Sequence, residues 1–110
     1  MRILIAATLV LAAASPLTAE ERCFENLGQT GCPSQETFST KDLKKLSCEN
    51  LWLVRNSIYD NQGYCFKTAK AKTVFDNSDC TVDDPGDIDF NAHEWTNISR
   101  IAKIEKNKGC

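Results

Sequence analysis

Six cysteines carry the clearest chemical signal in the sequence. Their number is even, and no two of them are separated by only two residues, the spacing that tetrahedral zinc-thiolate sites use. An even set of widely spaced cysteines in a short exported chain is typical of a disulfide framework. We therefore expect no metal site and no cofactor, and we predict disulfides at Cys23, Cys32, Cys48, Cys65, Cys80 and Cys110.

The sequence alone does not choose among the many pairings that six cysteines allow. Our preferred set has two local bridges and one long-range bridge. It joins Cys23 to Cys32, Cys65 to Cys80, and Cys48 to Cys110. Cross-links of this kind would stabilise a domain whose small size limits its hydrophobic core.

Catalytic groups are weakly represented. His93 is the only histidine, and it falls beside Glu94 in the first turn of a predicted helix, a surface position without a paired nucleophile. Segment 83–89 is rich in aspartate and could offer oxygen ligands to calcium, but it lacks the spacing and the distal glutamate of an EF-hand loop. We interpret it as a solvated acidic turn, and we predict that the protein is not an enzyme.

Four aromatic residues and one arginine are the candidates for ligand binding. Trp52, Tyr59, Tyr64 and Trp95 could form a platform for sugar rings, although core packing explains aromatic residues equally well. Arg55 could hold a carboxylate or phosphate through two parallel hydrogen bonds, but internal pairing with an acid or with carbonyl groups is our preferred interpretation. The predicted binding residues are Arg55, Tyr59, Tyr64 and Trp95.

The start of the chain has the three parts of a secretory signal. Arg2 precedes an uncharged apolar run at 3–14, and small residues follow before the acidic Glu20. The apolar run is shorter than the roughly 20 residues that a membrane-spanning helix needs. We predict a signal peptide at 1–19, cleaved after Ala19, and no transmembrane anchor after cleavage.

The charge of the remaining chain argues against a nucleic-acid partner. Beyond residue 19 there are 12 basic and 15 acidic residues, a net charge of −3. Domains that bind nucleic acids normally present a basic face. The charge balance therefore predicts that the protein does not bind nucleic acid, and the signal peptide and the cysteines predict a periplasmic or extracellular location.

Helical periodicity predicts a mainly α fold, a small disulfide-stapled domain of three to four short helices. We expect an irregular N-terminal arm closed by a disulfide at 20–38 and a helical domain at 39–110. A short helix is predicted after Ser39, and the strongest helix is predicted over 48–62, before Gly63.

Two further helices are expected in the second half of the chain. Thr68 is a capping residue for a helix that runs to about Phe75. Asn91, followed three residues later by Glu94, forms the pattern of a capping box, and the last helix is predicted to end near Asn107.

Residues 51–66 read L-W-L-V-R-N-S-I-Y-D-N-Q-G-Y-C-F. This segment resembles the YARHG domain, a small module of exported bacterial proteins whose pattern is roughly L-x-x-x-R-N-x-I-Y-A-R-H-G-x-x-F. The resemblance covers about residues 39–80, extends loosely to Cys110, and points to a cysteine-bearing subfamily. The matching positions are Asp42, Leu43, Leu46, Ser47, Arg55, Asn56, Ile58, Tyr59, Gly63, Phe66 and Phe75. The chain departs from the pattern where Asp60, Asn61 and Gln62 replace Ala, Arg and His, so no role of that arginine or histidine carries over.

The resemblance implies an exported, non-enzymatic binding module associated with the cell envelope, with peptidoglycan as the first-choice ligand. The alternative is a secreted protein that interacts with or inhibits another protein. A contiguous exposed apolar patch would favour that alternative.

Overall fold

The computed structural model describes residues 21–110, which form four α-helices and one 3-10 turn. The helices are α1 (Thr40–Lys44), α2 (Cys48–Asn61), α3 (Ala69–Val74) and α4 (Ala92–Lys108), and the 3-10 turn is Pro85–Asp87. The β pairing within this range is a single isolated bridge between Tyr64 and Val82. The predicted mainly α fold is confirmed, whereas the predicted signal peptide at 1–19 lies outside the described residues.

Polar caps set where the helices begin. Each cap side chain accepts a hydrogen bond from a backbone N–H group in the first turn, which would otherwise lack a partner. Asn91 and Glu94 form a full capping box at the start of α4. Gly109 ends α4 in the left-handed conformation, with φ of 75°. The other helices are capped by Ser39, Ser47 and Thr68.

The main core lies between α2 and α4, with α1 packed against α4. Leu51 and Ile58 on α2 and Ile101 on α4 are fully buried. Their spacing repeats the helical period, so each helix turns one apolar stripe toward the other. Truncating Leu51 to alanine would cost about 2–5 kcal/mol, because the surrounding helices cannot close the cavity fully.

The N-terminal arm contributes to this same core. Leu27 and Phe38 are buried in it, although the sequence marks their segment only as irregular. Asn97 on α4 fastens the arm, since its Oδ1 accepts a hydrogen bond from Phe38 N at 2.8 Å. The Nδ2 of Asn97 donates to the carbonyl oxygens of Pro33 and Glu36, each at 3.0 Å. One buried amide therefore ties the arm to α4.

A carboxylate inside the arm organises its loop. Glu36 accepts hydrogen bonds from the backbone N–H groups of Gln29 and Gly31 at 3.0 and 3.1 Å, and also from Thr30. These donors, led by the Thr30 hydroxyl, lower the pKa of Glu36 from 4.5 to about 2. Gly31 has φ of 70°, and a Cβ there would lie 1.9 Å from the Phe24 carbonyl oxygen. Only glycine fits this turn.

The three disulfides of the structure are the preferred set. Cys23 pairs with Cys32 within the arm, and Cys65 pairs with Cys80 in the loop after α3. Cys48, at the first residue of α2, pairs with Cys110 beyond the end of α4. This last bridge joins the two long helices at one end of the domain.

A second, smaller core lies on the other side of α2. It consists of Phe66, Ala71 and Phe75, with Trp52 and Tyr64 among the partly buried side chains packed against it. Tyr59 also contacts this cluster, and it contacts the main core as well. Aromatic side chains therefore join the two cores.

Candidate functional site

An open groove runs between α2 and α4 and has a volume of about 530 Å³. The Cys48–Cys110 disulfide lies at its edge, and aromatic, charged and aliphatic side chains form the rest of its lining. The lining residues with chemical function are Glu49, Trp52, Arg55, Tyr59, Lys70, Glu105 and Lys106. We call this site the α2–α4 groove.

A bidentate ion pair crosses the α2–α4 groove. Arg55 donates from Nε to Oε1 of Glu105 at 2.6 Å and from Nη2 to Oε2 at 3.2 Å. The side chains of Arg55 and Glu105 are 28% and 14% exposed. The sequence favoured internal pairing of Arg55 with an acid or with carbonyl groups, and its partner is the acid Glu105. The described residues provide no partner for Nη1 of Arg55, so this nitrogen is available as a donor toward a ligand.

The indole of Trp52 forms part of the groove wall. On one side it packs against Phe75, with ring centroids 6.0 Å apart. The Nζ of Lys70 lies 4.1 Å from the Trp52 ring centroid, within the range of a cation–π interaction. The same ammonium group is 3.1 Å from Glu49 Oε1. Both ends of that ion pair are more than half exposed, so a ligand could displace Lys70 at small cost.

A smaller concavity of about 210 Å³ adjoins the groove. Arg55 and Tyr59 line both spaces, and Asn56, Tyr64 and Pro85 complete the second. Tyr64 reaches this position because its backbone pairs with Val82. The structure therefore brings together three of the predicted binding residues, Arg55, Tyr59 and Tyr64.

Trp95 is not part of this set. It lies in a separate shallow concavity with Ile88, Asp89 and Phe90. Phe90 contacts both Trp95 and Tyr59, at centroid distances of 6.0 and 5.1 Å. Consecutive ring contacts thus form one continuous row, which is Trp52, Phe75, Phe66, Tyr64, Tyr59, Phe90 and Trp95.

The positions that depart from the family pattern have structural contacts of their own. Gln62 donates to Oε2 of the buried Glu94 at 2.8 Å, which joins α2 to α4. Asn61 accepts a hydrogen bond from the backbone N–H of Arg22 in the arm, at 3.3 Å. Burial raises the pKa of Asp60, while the nearby positive charge of Arg22 opposes that rise. None of the three lines the α2–α4 groove.

The residues considered for catalysis or metal binding also make contacts within the protein. His93 Nδ1 lies 2.8 Å from the Thr37 hydroxyl, so the ring bonds to the arm. In the acidic segment, Asp83 pairs with Lys67 at 2.9 Å, and Asp84 caps the 3-10 turn. Within residues 21–110 the group with metal-ligand spacing is Glu21, Cys23 and Cys32, and a disulfide joins its two sulfurs.

The candidate site residues drawn from the sequence do not include the charged side chains that α3 and α4 bring to the groove, namely Lys70, Glu105 and Lys106. Glu105 left a signal, since it continues the apolar stripe that includes Ile98 and Ile101. An acid at such a position needs a cation nearby. Lys70 and Lys106 could not have been recognised in this way, because solvent-facing lysines are common on helices.

These features define a class of protein, a small disulfide-linked helical domain with an open aromatic and charged groove. The model of the YARHG domain family matches residues 31–106, and the chain therefore belongs to this family. The match begins inside the arm, earlier than the sequence motif suggested. No significant match was found among curated proteins or among solved structures.

Family membership and the disulfides together indicate an exported protein, and the family is a non-catalytic one. No helix within the described residues is long and apolar enough to span a membrane.

Proposed function

We propose that the protein is an envelope-associated, non-enzymatic module that binds peptidoglycan in the α2–α4 groove. The observation that carries the proposal is the combination of a partly exposed aromatic wall with charged groups of both signs in one open groove. The corresponding localisation is the periplasm or the exterior of the cell, reached by export under a signal peptide that is cleaved after Ala19.

Shape and aromatic content support a glycan ligand. Sugar rings present apolar C–H faces that pack against flat aromatic groups, while their hydroxyl groups remain at the rim. Trp52 and Tyr59 supply such faces in the groove, and Tyr64 supplies another in the adjoining concavity. The groove volume of about 530 Å³ is within the range of pockets that hold small ligands.

The charges support a glycan that carries peptides. Peptidoglycan bears carboxylates and amines on its stem peptides as well as sugar rings. Lys70, Lys106 and the free Nη1 of Arg55 could bind carboxylates, while Glu49 and Glu105 could bind amines. Arg55 is held in place by Glu105, so it loses little side-chain entropy when a ligand binds.

The alternative role in protein interaction has less support. Among the described residues, the exposed large hydrophobic side chains are Val74 on α3 and Trp95 on α4. They belong to different helices, and Trp95 packs against Phe90 rather than against α3. A protein interface would instead need a contiguous apolar patch of several hundred Å².

Cosedimentation with purified peptidoglycan sacculi tests the proposal. The oxidised protein should sediment with the sacculi, and retention should fall in Lys106→Ala and Trp52→Leu. Lys103→Ala is the matched control, because Lys103 is also exposed on α4 but does not line the groove. Retention that is unchanged in both groove variants would place binding elsewhere, and no retention of the wild type would remove peptidoglycan as the ligand.

A further inference from the structure

Trp95 presents a flat aromatic surface to solvent outside the α2–α4 groove. The residue is 58% exposed. It lies in the first turns of α4, a helix whose start is fixed by a capping box. Its ring is within 16° of parallel to the ring of Phe90, at a centroid distance of 6.0 Å. Phe90 in turn contacts Tyr59, so the exposed indole rests on a fixed support. We call Ile88, Asp89, Phe90 and Trp95 the Trp95 ledge.

The size of the Trp95 ledge suits a single ring. Its concavity has a volume of about 240 Å³, formed by these four side chains. A specific protein interface buries about 800 Å² on each partner and involves some 20 or more residues. A surface of four residues is too small for such an interface, whereas it matches the face of one sugar ring.

The charge of the ledge selects among sugars. Asp89 lines the concavity, and Asp87 is exposed two residues earlier in the 3-10 turn. Their neighbour Asp83 is paired with Lys67, whereas the described residues give neither Asp87 nor Asp89 a salt-bridge partner. No lysine or arginine lines the ledge. The ledge is therefore apolar on its floor and negative at its edge, which is complementary to a ring that carries a positive charge.

We propose that the Trp95 ledge is a second glycan site, separate from the α2–α4 groove, for a hexosamine ring with a free amine. The C–H face of the sugar stacks on the outer face of the indole, and its ammonium group pairs with Asp89. An N-acetylated hexosamine has the same ring but no positive charge, so it keeps the stacking and loses the ion pair.

Calorimetric titration of the oxidised protein with two matched probes tests this site. The probes are a glucosamine oligomer and the N-acetylglucosamine oligomer of equal length, in mildly acidic buffer that keeps the amines protonated. The glucosamine oligomer should bind more tightly. Trp95→Ala should weaken its binding about tenfold, the size of loss typical of a central aromatic contact. Asp89→Asn should weaken it by up to about fivefold, as expected for an exposed ion pair.

Asp79→Asn is the control, because it removes the same charge from an exposed acid that does not line the ledge. Equal losses in Asp89→Asn and Asp79→Asn would mean general attraction of a polycation to an acidic protein, and would overturn the proposal. Equal affinity for the two oligomers would also overturn it. Lys106→Ala, a groove variant, should bind the glucosamine oligomer with the affinity of the wild type. The proposal for the groove and the proposal for the ledge can therefore fail independently of each other.

Discussion

Arg55 on α2 and Glu105 on α4 are joined by two parallel hydrogen bonds, of 2.6 and 3.2 Å. The two residues belong to the helices that form the main core, so the pair adds a charged contact beside the apolar one. It also fixes the guanidinium where it faces the α2–α4 groove. One contact thus serves the packing of the helices and the orientation of the site.

Loss of this pair should destabilise the fold measurably. Glu105→Gln should lower the free energy of unfolding by about 1–2 kcal/mol, because it weakens two charge-assisted bonds at a partly buried site. Urea unfolding of Arg55→Gln, Glu105→Gln and the double variant would give the coupling energy. Glu49→Gln is the comparison, since its pair with Lys70 is more than half exposed and should contribute under about 1 kcal/mol. Equal losses in the two pairs would contradict the bidentate contact.

Removal of the disulfides should destabilise the protein in the order of the loops they close. The separations are 62 residues for Cys48–Cys110, 15 for Cys65–Cys80 and 9 for Cys23–Cys32. The chain-entropy model gives losses of about 4, 3 and 2.5 kcal/mol. Pairwise Cys→Ser variants and thermal unfolding would measure the order. A smaller loss for Cys48–Cys110 than for Cys23–Cys32 would show that native contacts, not loop closure, determine the effect.

The helix starts could be predicted from the sequence because caps are local. Ser47, Thr68 and Asn91 each act on N–H groups within three or four residues, so a short pattern contains the information. The burial of the arm could not be predicted in this way. Leu27 and Phe38 are isolated apolar residues in a polar segment without periodicity, and their contacts come from helices far along the chain.

The same reasoning separates the predicted from the missed parts of the site. Arg55 and Tyr59 lie one turn apart on α2, so helical spacing alone brings them together. Lys70 and Glu105 come from α3 and α4, and only the packing of those helices brings them to the groove. Trp95 was grouped with the other aromatics because residue type does not reveal which face of the fold a side chain occupies.

Acid should loosen the arm through Glu36. Its pKa is lowered from 4.5 to about 2 in the folded state, so the ionised carboxylate stabilises the fold fully above pH 4.5. That contribution is lost as the pH falls from 4.5 through about 2. Unfolding measured across this range should show wild type and Glu36→Gln converging toward low pH. A constant difference between the two at every pH would contradict the role of the charge.

Asn97 should control how firmly the arm is held. Asn97→Ala removes three hydrogen bonds from a fully buried amide and leaves Phe38 N without its partner. We expect a loss of about 2–3 kcal/mol and faster hydrogen exchange at the Phe38 amide. Asn107→Ala is the matched control, because Asn107 is exposed near the end of α4. If the Phe38 amide exchanged equally slowly in both variants, the arm would be held by its apolar contacts instead.

Asp60 should oppose stability at neutral pH. Burial raises its pKa, so the fold favours the protonated form, and that advantage is lost as the pH rises through the raised value. Asp60→Asn should therefore raise the free energy of unfolding at neutral pH. The gain should shrink as the pH falls through the raised pKa of Asp60 and should be lost below 3.8, the ordinary value for aspartate. Arg22 limits the gain, since its positive charge favours the ionised form.

Denaturant unfolding of Asp60→Asn at neutral and acidic pH would measure this effect, with Asp89→Asn as an exposed control. A loss of stability at neutral pH in Asp60→Asn would mean that the attraction between Asp60 and Arg22 outweighs the cost of burial. Arg22→Gln separates the cost of burying the Asp60 carboxylate from its attraction to Arg22. The difference between the effects of Arg22→Gln in the wild type and in Asp60→Asn measures the attraction between Asp60 and Arg22, because only the wild type contains both charges.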